Sequence, residues 1–289
     1  MEFNPDRCRS LLFVPAGKER YFKSALTGDA DVIQLDLEDA IPPDQKQQAR
    51  KAARDQVNRI DAANRVGVVR INHNVDLQRL DLEAVVGPGL AGLTIPKVSS
   101  GDELKQIDEE VSRLETNCQL PVGEIRLVAQ IESAAGVLNA REIANSTPRL
   151  AAMGLGMEDL AVELGSRVDP DALYFPSMLT LYAAREADVT PIGFLGSITN
   201  YQDIQTFTDW IQRAKFLGFE GGFCIHPNQV EILNSEFIPS QSEVDEARAL
   251  VQAFETRTDK TAGAFAYQGR MVDKPVVERA KRTLQRAAF

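Results

Sequence analysis

The sequence of 289 residues is poor in the side chains that build disulfide frameworks, histidine metal centres and nucleic-acid surfaces. Its three cysteines are an odd number without Cys-x-x-Cys spacing, which argues against a disulfide scaffold and a structural zinc site. Its two histidines exclude a polyhistidine metal centre. The chain has 32 basic and 42 acidic residues, and the resulting net charge of −10 excludes a basic nucleic-acid-binding surface.

Long apolar runs are also missing from the chain. No apolar stretch is long enough to span a bilayer, and residues 1–6 lack the basic and then apolar order of a signal peptide. We therefore expect a cytoplasmic protein without a membrane partner. The hydrophobic fraction of 44% and the length suit one large α/β domain or two small ones.

Short apolar runs alternate with longer, polar and alanine-rich segments along most of the chain. Several runs are continuous, which is typical of parallel strands buried on both faces. The predicted strands are Leu11–Val14, Val32–Leu37, Val66–Ile71, Gly92–Ile95, Leu127–Ile131, Leu150–Met153, Pro191–Leu195 and Phe223–Ile225. The predicted helices between them are Gln45–Ile60, Gly101–Glu115, Ala135–Asn145, Ser177–Ala187 and Asp203–Leu217.

The number and length of these repeats predict an α/β fold, a TIM (β/α)8 barrel. Eight strands in order also fit a doubly wound sheet, so this alternative stays open here. After Pro239 the repeat ends, and helices are predicted at Ser242–Thr256 and Pro275–Ala287. We therefore divide the chain into a catalytic barrel at residues 1–238 and a C-terminal helical extension at residues 239–289, which would act as a lid or contact a neighbouring subunit.

Charged residues follow the C-terminal ends of successive predicted strands. In a parallel barrel these ends converge on the face where catalysis takes place. Charges buried beside apolar runs are costly unless they are paired or bind a cation. The segments are Asp36-Leu37-Glu38-Asp39, Arg70-Ile71-Asn72, Pro96-Lys97, Gln130-Ile131-Glu132-Ser133 and Gly154-Leu155-Gly156-Met157-Glu158-Asp159. The pattern therefore predicts a functional site at this face.

Glu132 and Asp159 follow adjacent predicted strands. Two hard oxygen ligands that leave room for water and substrate suit Mg²⁺. The alternative is a pair of salt bridges to a neighbouring arginine or lysine at the rim of the barrel. The sequence therefore indicates Mg²⁺ as the cofactor, held by oxygen ligands.

Arg70 has a planar guanidinium that can hold a carboxylate through two hydrogen bonds. Asp36 and Glu38 alternate with leucines, so both point to the same side of the second strand. An ion network with Arg70 is therefore an alternative to direct catalysis by Glu38. Lys97 could hold a phosphate, a substrate carboxylate or Glu38, whereas a Schiff-base role would leave the two metal-binding carboxylates unexplained.

The glycine turn before Met157 lacks the third glycine of a dinucleotide-binding fingerprint. As a tight turn it would bring backbone N–H groups close to a substrate carboxylate, which makes Gly156 and Met157 candidate substrate contacts. Lys46 and Arg50 are four residues apart on a predicted helix and fit either exposed charges or phosphate contacts. His226, beside Pro227, is expected to fix the turn that follows the last strand.

Eight segments, in order along nearly the whole chain, resemble one known family. They are Arg9–Pro15, Leu35–Ala40, Val69–Asn72, Ile95–Lys97, Gln130–Ala134, Gly156–Leu160, Cys224–Gln229 and Gly269–Pro275. Together they resemble the citrate lyase beta-subunit group of the HpcH/HpaI aldolase/citrate lyase family. This resemblance is far more specific than any single segment.

The resemblance implies a barrel that assembles as a homotrimer or hexamer. It implies that Glu132 and Asp159 hold Mg²⁺, that Arg70 grips the carboxylate of an oxo acid, and that Asp273 is the general acid/base. Relatives handle citryl-, malyl-, methylmalyl- or citramalyl-CoA, and some work with an acyl carrier protein. The lysine that often precedes the Ile-His-Pro turn is missing here, while Lys18 could meet the CoA phosphates.

These observations predict a Mg²⁺-dependent carbon–carbon lyase acting on a β-hydroxyacyl-CoA thioester. The candidate catalytic residues are Asp273, Arg70 and Glu38, the candidate substrate contacts are Arg70, Gly156, Met157, Lys97 and Lys18, and the candidate metal ligands are Glu132 and Asp159. The alternatives are a thioesterase or a free oxo-acid aldolase on the same framework, or a citrate lyase beta subunit, catalytically active or silent, with acyl-carrier partners.

Overall fold

The computed structural model describes residues 2–256 and 263–287. The chain separates into two compact units, residues 1–237 and residues 238–289. Each unit is described by itself below. None of the described helices is both long and apolar enough to cross a membrane.

The first unit contains eight parallel strands. They are β1 (Ser10–Pro15), β2 (Val32–Asp36), β3 (Val66–Arg70), β4 (Gly92–Ile95), β5 (Arg126–Ile131), β6 (Leu150–Leu155), β7 (Thr190–Pro191) and β8 (Gly222–Cys224). Each strand lies beside its neighbour in sequence from β1 to β7, and β8 pairs with β1. This order is that of a barrel. In a doubly wound sheet the strand order would reverse part-way across the sheet.

A parallel bridge between Ile192 and Gly221 joins the segments at β7 and β8. Gly193 donates a backbone hydrogen bond to the Gly221 carbonyl at 2.7 Å, and Glu220 donates one to the Pro191 carbonyl at 3.0 Å. These bonds connect the two ends of the sheet. The predicted TIM-like barrel is confirmed, and the doubly wound alternative is wrong.

Helices follow the strands and cover the outside of the sheet. They are α1 (Glu19–Thr27), α2 (Lys46–Ala62), α3 (Val75–Val85), α4 (Gly101–Asn117), α5 (Ala134–Leu138), α6 (Ala140–Ala144), α7 (Met157–Leu164), α8 (Pro170–Glu186), α9 (Ile204–Leu217) and α10 (Pro227–Phe237). Alternate residues of each strand pack either under these helices or inside the barrel. Ile33 and Leu35 of β2 belong to the outer core, whereas Val32 packs inside with Val68 and Val128.

Three predicted elements are divided in the structure or differ from it by more than two residues at one end. β7 is only two residues long, because Pro191 cannot donate a ladder hydrogen bond and Gly193 has a φ of +145°. The predicted helix at Ala135–Asn145 is two short helices divided at Asn139, whose side chain donates to the Ser99 carbonyl at 2.9 Å. α8 begins at Pro170, earlier than predicted, because Asp169 caps the helix.

The second unit contains α11 (Gln241–Thr256), β9 (Ala264–Tyr267), β10 (Arg270–Asp273) and α12 (Lys274–Ala287). The two helices correspond to those predicted. The antiparallel hairpin of β9 and β10 lies between these helices in sequence and was not predicted. Its turn has positive φ angles at Gln268 and Gly269, which is the geometry of a tight hairpin turn. Residues 257–262 lie outside the described part of the chain.

Candidate active site

A cavity of about 670 Å³ lies at the C-terminal ends of the barrel strands. Pro15, Asp36, Arg70 and Leu155 line it and are the last residues of β1, β2, β3 and β6. This is the face that the charged strand ends predicted. The cavity therefore brings together side chains that lie far apart in sequence.

Asp36 and Arg70 are paired across the neighbouring strands β2 and β3. The Arg70 Nε and Nη2 atoms donate to the two carboxylate oxygens of Asp36, both at 2.8 Å. Burial raises the pKa of the Asp36 carboxyl, but its bonds with Arg70 outweigh this and hold the pKa below its usual value. The Arg70 guanidinium also lies over the Phe13 ring, 4.6 Å from its centroid. The Arg70 guanidinium is therefore held along one edge by Asp36 and on one face by the Phe13 ring.

Glu38 and Asp39 surround the other end of the same guanidinium. Arg70 Nη1 lies 3.0 Å from Glu38 Oε2 and 3.4 Å from Asp39 Oδ2. Glu38 is buried, and burial raises the pKa of its carboxyl despite the opposing charge of Arg70. Asp36 and Glu38 thus reach one guanidinium, as their alternation in sequence predicted. The contacts are those of the ion network that the sequence analysis gave as an alternative to direct catalysis.

Lys97 connects this network to the two predicted metal ligands. Its ammonium lies 2.9 Å from Glu38 Oε1, 3.0 Å from Asp159 Oδ2 and 3.7 Å from Glu132 Oε2. Burial lowers the pKa of the Lys97 amine, but these carboxylates outweigh it and raise the pKa above its usual value. The amine therefore stays protonated, which argues against a Schiff-base nucleophile.

The backbone at Lys97 has a φ of +54°, in the left-handed region. A residue with a Cβ in this region stores about 1–3 kcal/mol of strain, and such residues cluster at functional sites. The turn directs the side chain from the end of β4 toward Glu38 and Asp159, with which it forms ion pairs. Lys97 therefore has a strained backbone and a side chain that belongs to the network of ion pairs.

Glu132 and Asp159 converge on this ammonium from the end of β5 and the first turn of α7. Burial and the neighbouring Asp159 carboxyl raise the pKa of Glu132 to about 8. Glu132 Oε1 is buried and has no hydrogen-bond partner among the described residues. A Cβ at Gly156 would lie 2.5 Å from Glu132 Cγ, so the glycine lets α7 begin directly against the glutamate.

The donor set at Glu132 and Asp159 fits a divalent cation with hard oxygen ligands. Two carboxylates that share a site repel each other, and a cation between them removes the repulsion and satisfies the unpartnered oxygen. No group of three or more metal-binding side chains occurs in residues 2–256 and 263–287. Glu132 and Asp159 would supply two oxygen ligands, which suits Mg²⁺ because this ion usually keeps waters and binds substrate oxygens.

The remaining predicted site residues lie in three places. Gly156 and Met157 line the cavity. Lys18 is exposed at the start of α1 and is not among the cavity-lining side chains of the described chain. Asp273 ends β10 in the second unit, where its Oδ1 accepts a hydrogen bond from the Val276 amide at 3.3 Å. The functional roles of these residues remain predictions.

Lys46 and Arg50 are buried, so the alternative that they are exposed helix charges is wrong, and their side chains bond to the protein itself. Lys46 Nζ donates to the Leu37 and Glu38 carbonyls and to the Asn72 side chain, each at 2.7 Å. Arg50 Nε donates to Asp81 at 2.6 Å. These bonds support the segments after β2 and β3, which carry the ion network.

An aromatic part of the cavity wall was missed in the sequence analysis. The Phe13 and Phe223 rings lie 5.5 Å apart on the neighbouring strands β1 and β8, and both line the cavity. Tyr201 stacks on His226 with ring centroids 4.9 Å apart. His226 Nδ1 accepts the Asn228 amide at 3.2 Å, in agreement with its predicted role in the turn. The alternation of side chains along β1 and β8 could have identified the two phenylalanines as interior residues.

Comparison with known proteins now identifies the family. Residues 9–227 match the family described as HpcH/HpaI aldolase/citrate lyase. The chain belongs to the HpcH/HpaI family. This membership confirms the resemblance stated from the sequence, and it confirms the expectation of a lyase.

Relatives in the HpcH/HpaI family match over nearly the whole chain. The citrate lyase subunit beta of Leuconostoc mesenteroides subsp. cremoris is 33% identical, with 96% of this chain and 93% of the relative covered. A (3S)-malyl-CoA thioesterase of Cereibacter sphaeroides is 36% identical, with 96% and 94% covered. Among solved structures, the chain is similar to protein CitE from Mycobacterium tuberculosis, crystallised with magnesium, acetoacetate and coenzyme A. The two chains are 30% identical, the TM-score is 0.73, and the match covers 97% of this chain and 98% of CitE.

Proposed function

We propose that the protein is a Mg²⁺-dependent carbon–carbon lyase that cleaves a β-hydroxyacyl-CoA thioester into an oxo acid and an acyl-CoA, or forms it in reverse. The observation that carries the proposal is the convergence of Glu132, Asp159 and Arg70 on one cavity. Support comes from a relative crystallised with magnesium, an oxo acid and coenzyme A. The candidate substrates are malyl-, citramalyl- and citryl-CoA.

Glu132 and Asp159 would hold the metal, because they are the two carboxylates that share a site and leave a buried oxygen without a partner. When bound there, Mg²⁺ supplies Lewis-acid stabilisation of the charge that develops on a substrate oxygen. The ammonium of Lys97 keeps the two carboxylates together through ion pairs. The protein thus preorganises its ligands before the metal binds.

Arg70 would bind and orient the substrate carboxylate. Asp36 occupies Nε and one Nη2 hydrogen and fixes the plane of the guanidinium. Asp39, whose side chain is 63% exposed, lies at 3.4 Å from Nη1 and can move aside for a substrate carboxylate. Orienting the substrate in this way replaces part of the entropic cost of the reaction with binding energy.

Cleavage removes the hydroxyl proton and breaks the bond between the carbinol carbon and the thioester α-carbon. The electron pair passes to the thioester as an enolate, which takes a proton and becomes the acyl-CoA, while the carbinol carbon becomes the carbonyl carbon of the oxo acid. We assign the protonation to Asp273 as the predicted acid/base. We assign to Glu38 a positioning role, because both its oxygens lie within 3.0 Å of Arg70 or Lys97 nitrogens.

A kinetic experiment tests the lyase directly. Purified protein is assayed with malyl-, citramalyl- and citryl-CoA, with Mg²⁺ and after chelation, and the products are identified by mass spectrometry. We expect acetyl-CoA and an oxo acid, loss of turnover on chelation, and at least about 100-fold lower kcat for Glu132→Gln, since the metal loses a ligand. The control Glu83→Gln, an exposed residue of α3, should keep full activity. Full-rate cleavage by the chelated protein would refute the proposal.

A thioesterase on the same framework is the second candidate function. The observation that favours it is the (3S)-malyl-CoA thioesterase at 36% identity over 96% of this chain. In that reaction water attacks the thioester carbonyl, and the products are free CoA and a hydroxy diacid. The same mass spectra distinguish the two functions, because acetyl-CoA forms only in the lyase reaction.

We also propose a homotrimer or hexamer, in which residues 239–289 contact a neighbouring subunit, with an acyl-carrier chain as a further partner. The support is the family resemblance. Light scattering of the purified protein measures the assembly, and a monomeric mass would contradict it. Co-purification of the untagged endogenous protein with a carrier chain would identify the lyase as a component of a larger complex.

A further inference from the structure

The interior of the barrel contains polar side chains directly below the cavity. Val32, Gln34 and Asp36 share the inner side of β2, with Val32 in the apolar cluster inside the barrel and Asp36 in the cavity lining. Gln34 lies between them and is fully buried. Bulky apolar side chains usually fill this part of a barrel, because a buried amide is costly unless its atoms are hydrogen-bonded. Gln34 therefore departs from ordinary barrel packing.

Gln34 is hydrogen-bonded at one end of its amide only. Thr94 Oγ1, on β4, donates to Gln34 Oε1 at 2.6 Å, and both side chains are fully buried. The threonine hydroxyl is the donor, since an amide oxygen can only accept. Gln34 Nε2 is also buried, and it has no hydrogen-bond partner among the described residues. Thr94 thus fixes the amide so that its donor end is left to bind another group.

Gln130 presents the complementary atom. Thr94 lies opposite Val128 in the register of β4 and β5, and Gln130 is two residues farther along β5, on the same inner side. Gln130 lines the cavity, but its Oε1 is buried and has no partner in the described chain. The Nε2 end of this amide therefore faces the cavity. An unpaired donor on β2 and an unpaired acceptor on β5 thus flank Thr94.

We propose that Gln34, Thr94 and Gln130 form a buried binding site for one water molecule, which accepts from Gln34 Nε2 and donates to Gln130 Oε1. Buried waters typically bridge polar atoms that otherwise lack partners. The two ends of an amide have nearly the same shape, so its hydrogen-bond partners decide which end turns inward. The site therefore holds the Gln130 carbonyl inward and its N–H group toward the cavity.

The orientation of this amide matters for the proposed lyase reaction, on which this part of the inference rests. Cleavage places negative charge on the thioester oxygen as the enolate forms. A donor held in position stabilises such a charge, whereas a carbonyl oxygen in the same place repels it. Gln130 is then a substrate contact. Gln34 and Thr94 are positioning residues, because they act through the Gln130 amide.

Neutron diffraction tests the orientation without an assay of activity. Hydrogen positions are not observed by X-ray diffraction at ordinary resolution, whereas neutrons locate the deuterons of a deuterated crystal. We expect the Gln130 amide deuterons on the cavity side, and one water at hydrogen-bond distance from both Gln34 Nε2 and Gln130 Oε1. A Gln130 carbonyl on the cavity side, or a map without this water, would overturn the inference.

A second test separates the Thr94 hydroxyl from its methyl group. Thr94→Val removes the hydroxyl and keeps the shape, and Thr94→Ser does the opposite. We expect Thr94→Val to lower kcat for the best thioester by about tenfold, the factor that corresponds to one hydrogen bond, with little change in KM. Thr94→Ser should keep kcat within about threefold of the wild type. A role in packing alone would give the reverse order, because valine fills a core as well as threonine.

The matched control for the hydroxyl is Thr180→Val on α8. Thr180 is also buried, and its Oγ1 donates to the Pro176 carbonyl at 3.0 Å. This variant removes a buried threonine hydroxyl away from the polar layer and should keep wild-type kcat.

A third test asks whether Thr94 acts through Gln130. Gln130→Met removes the amide and should lower kcat by about 100-fold, as expected for the loss of one donor to a developing charge. Because no amide is then left to orient, Thr94→Val should cause no further loss in the Gln130→Met background. Two independent sites would instead give losses that multiply. Gln34→Met should behave like Thr94→Val in both backgrounds.

The outcomes separate this inference from the proposed function. Wild-type kcat in Thr94→Val, or a further loss in the Gln130→Met background, would overturn the positioning role and leave the lyase standing. If the wild-type protein cleaves none of the thioesters, the proposed function fails, and the positioning role fails with it. The water site then stands or falls on the neutron map alone.

Discussion

At the scale of single residues, the Asp36–Arg70 pair fixes the guanidinium that we propose binds the substrate carboxylate. The carboxylate holds two adjacent nitrogens of the guanidinium at 2.8 Å each, so the group cannot rotate. A planar fork with several fixed donors presents its other N–H groups in known directions. A lysine would keep the charge of Arg70 but lose this geometry.

We therefore predict that Arg70→Lys lowers kcat/KM by about 100-fold, because a misplaced substrate carboxylate shifts the reacting carbon. Steady-state kinetics with the best thioester measures the effect. Arg59→Lys is the matched control, since Arg59 also holds a carboxylate through two hydrogen bonds, from Nη1 and Nη2 to Glu19, at the surface of the protein. Equal kinetics of Arg70→Lys and the wild type would show that the fork has no role in binding.

Side-chain alternation predicted part of the site correctly and failed elsewhere for physical reasons. Asp36 and Glu38 follow the two-residue period of β2, so their shared side could be inferred from sequence. Lys46 and Arg50 look like exposed helix residues, but buried carbonyls and Asp81 compensate their charges. Such compensation depends on side chains and carbonyls from other elements, which spacing along one helix does not reveal.

At the scale of secondary-structure elements, Arg149 joins three parts of the barrel. It precedes β6, and its guanidinium contacts Asp108 at 2.8 Å and Glu115 at 2.8 Å, both on α4. Glu115 also accepts the amides of Gly123 and Ile125 in the segment before β5. Arg149 and Glu115 are both buried. The N-terminal ends of β5 and β6 lie opposite the catalytic face, where such networks serve stability.

We predict that Arg149→Met destabilises the fold by about 3 kcal/mol, because the buried Glu115 loses its charge partner. Urea unfolding followed by circular dichroism measures the change. The control Arg141→Met removes an exposed pair with Glu186 and should leave the unfolding midpoint unchanged. At low temperature Arg149→Met should keep wild-type kcat/KM. A wild-type midpoint would show that the network contributes no stability.

Most elements of the barrel could be predicted because periodicity and apolar runs are local signals. Several of the strands up to β6 have continuous apolar runs, and the observed bounds of all six lie close to those predicted. β7 is shorter than predicted because its pairing ends at Pro191 and Gly193, a backbone effect that hydrophobicity does not report. The β9–β10 hairpin has short, partly exposed strands, so it lacks the buried apolar run on which the strand prediction relied.

At the scale of the whole molecule, closure of the barrel depends on the segment before β8. Gly221 bridges to Ile192 on one side, and a Cβ at Gly221 would overlap the Cys8 carbonyl oxygen on the other. Only glycine at position 221 allows the backbone to pair with Ile192 and to lie this close to the Cys8 carbonyl. The chain thus closes through a position where the backbone itself is tightly packed.

We predict that Gly221→Ala destabilises the protein by about 1–3 kcal/mol, because the added methyl group forces the chain away from Cys8. Thermal and urea unfolding measure this change. The matched control is Gly263→Ala, since a Cβ at Gly263 meets no atom within 4 Å. Equal midpoints for the two variants would show that the closing segment tolerates a side chain.

The pairing of β2 with β3 has a consequence for how the protein becomes active. Asp36 lies opposite Arg70 only in one alignment of the two strands. A slip by a single position would turn one of the two side chains outward, toward the helices. A collapsed chain with its helices formed but these strands misaligned would thus be inactive. Under the proposed role of Arg70, activity therefore reports that β2 and β3 are paired in the correct register.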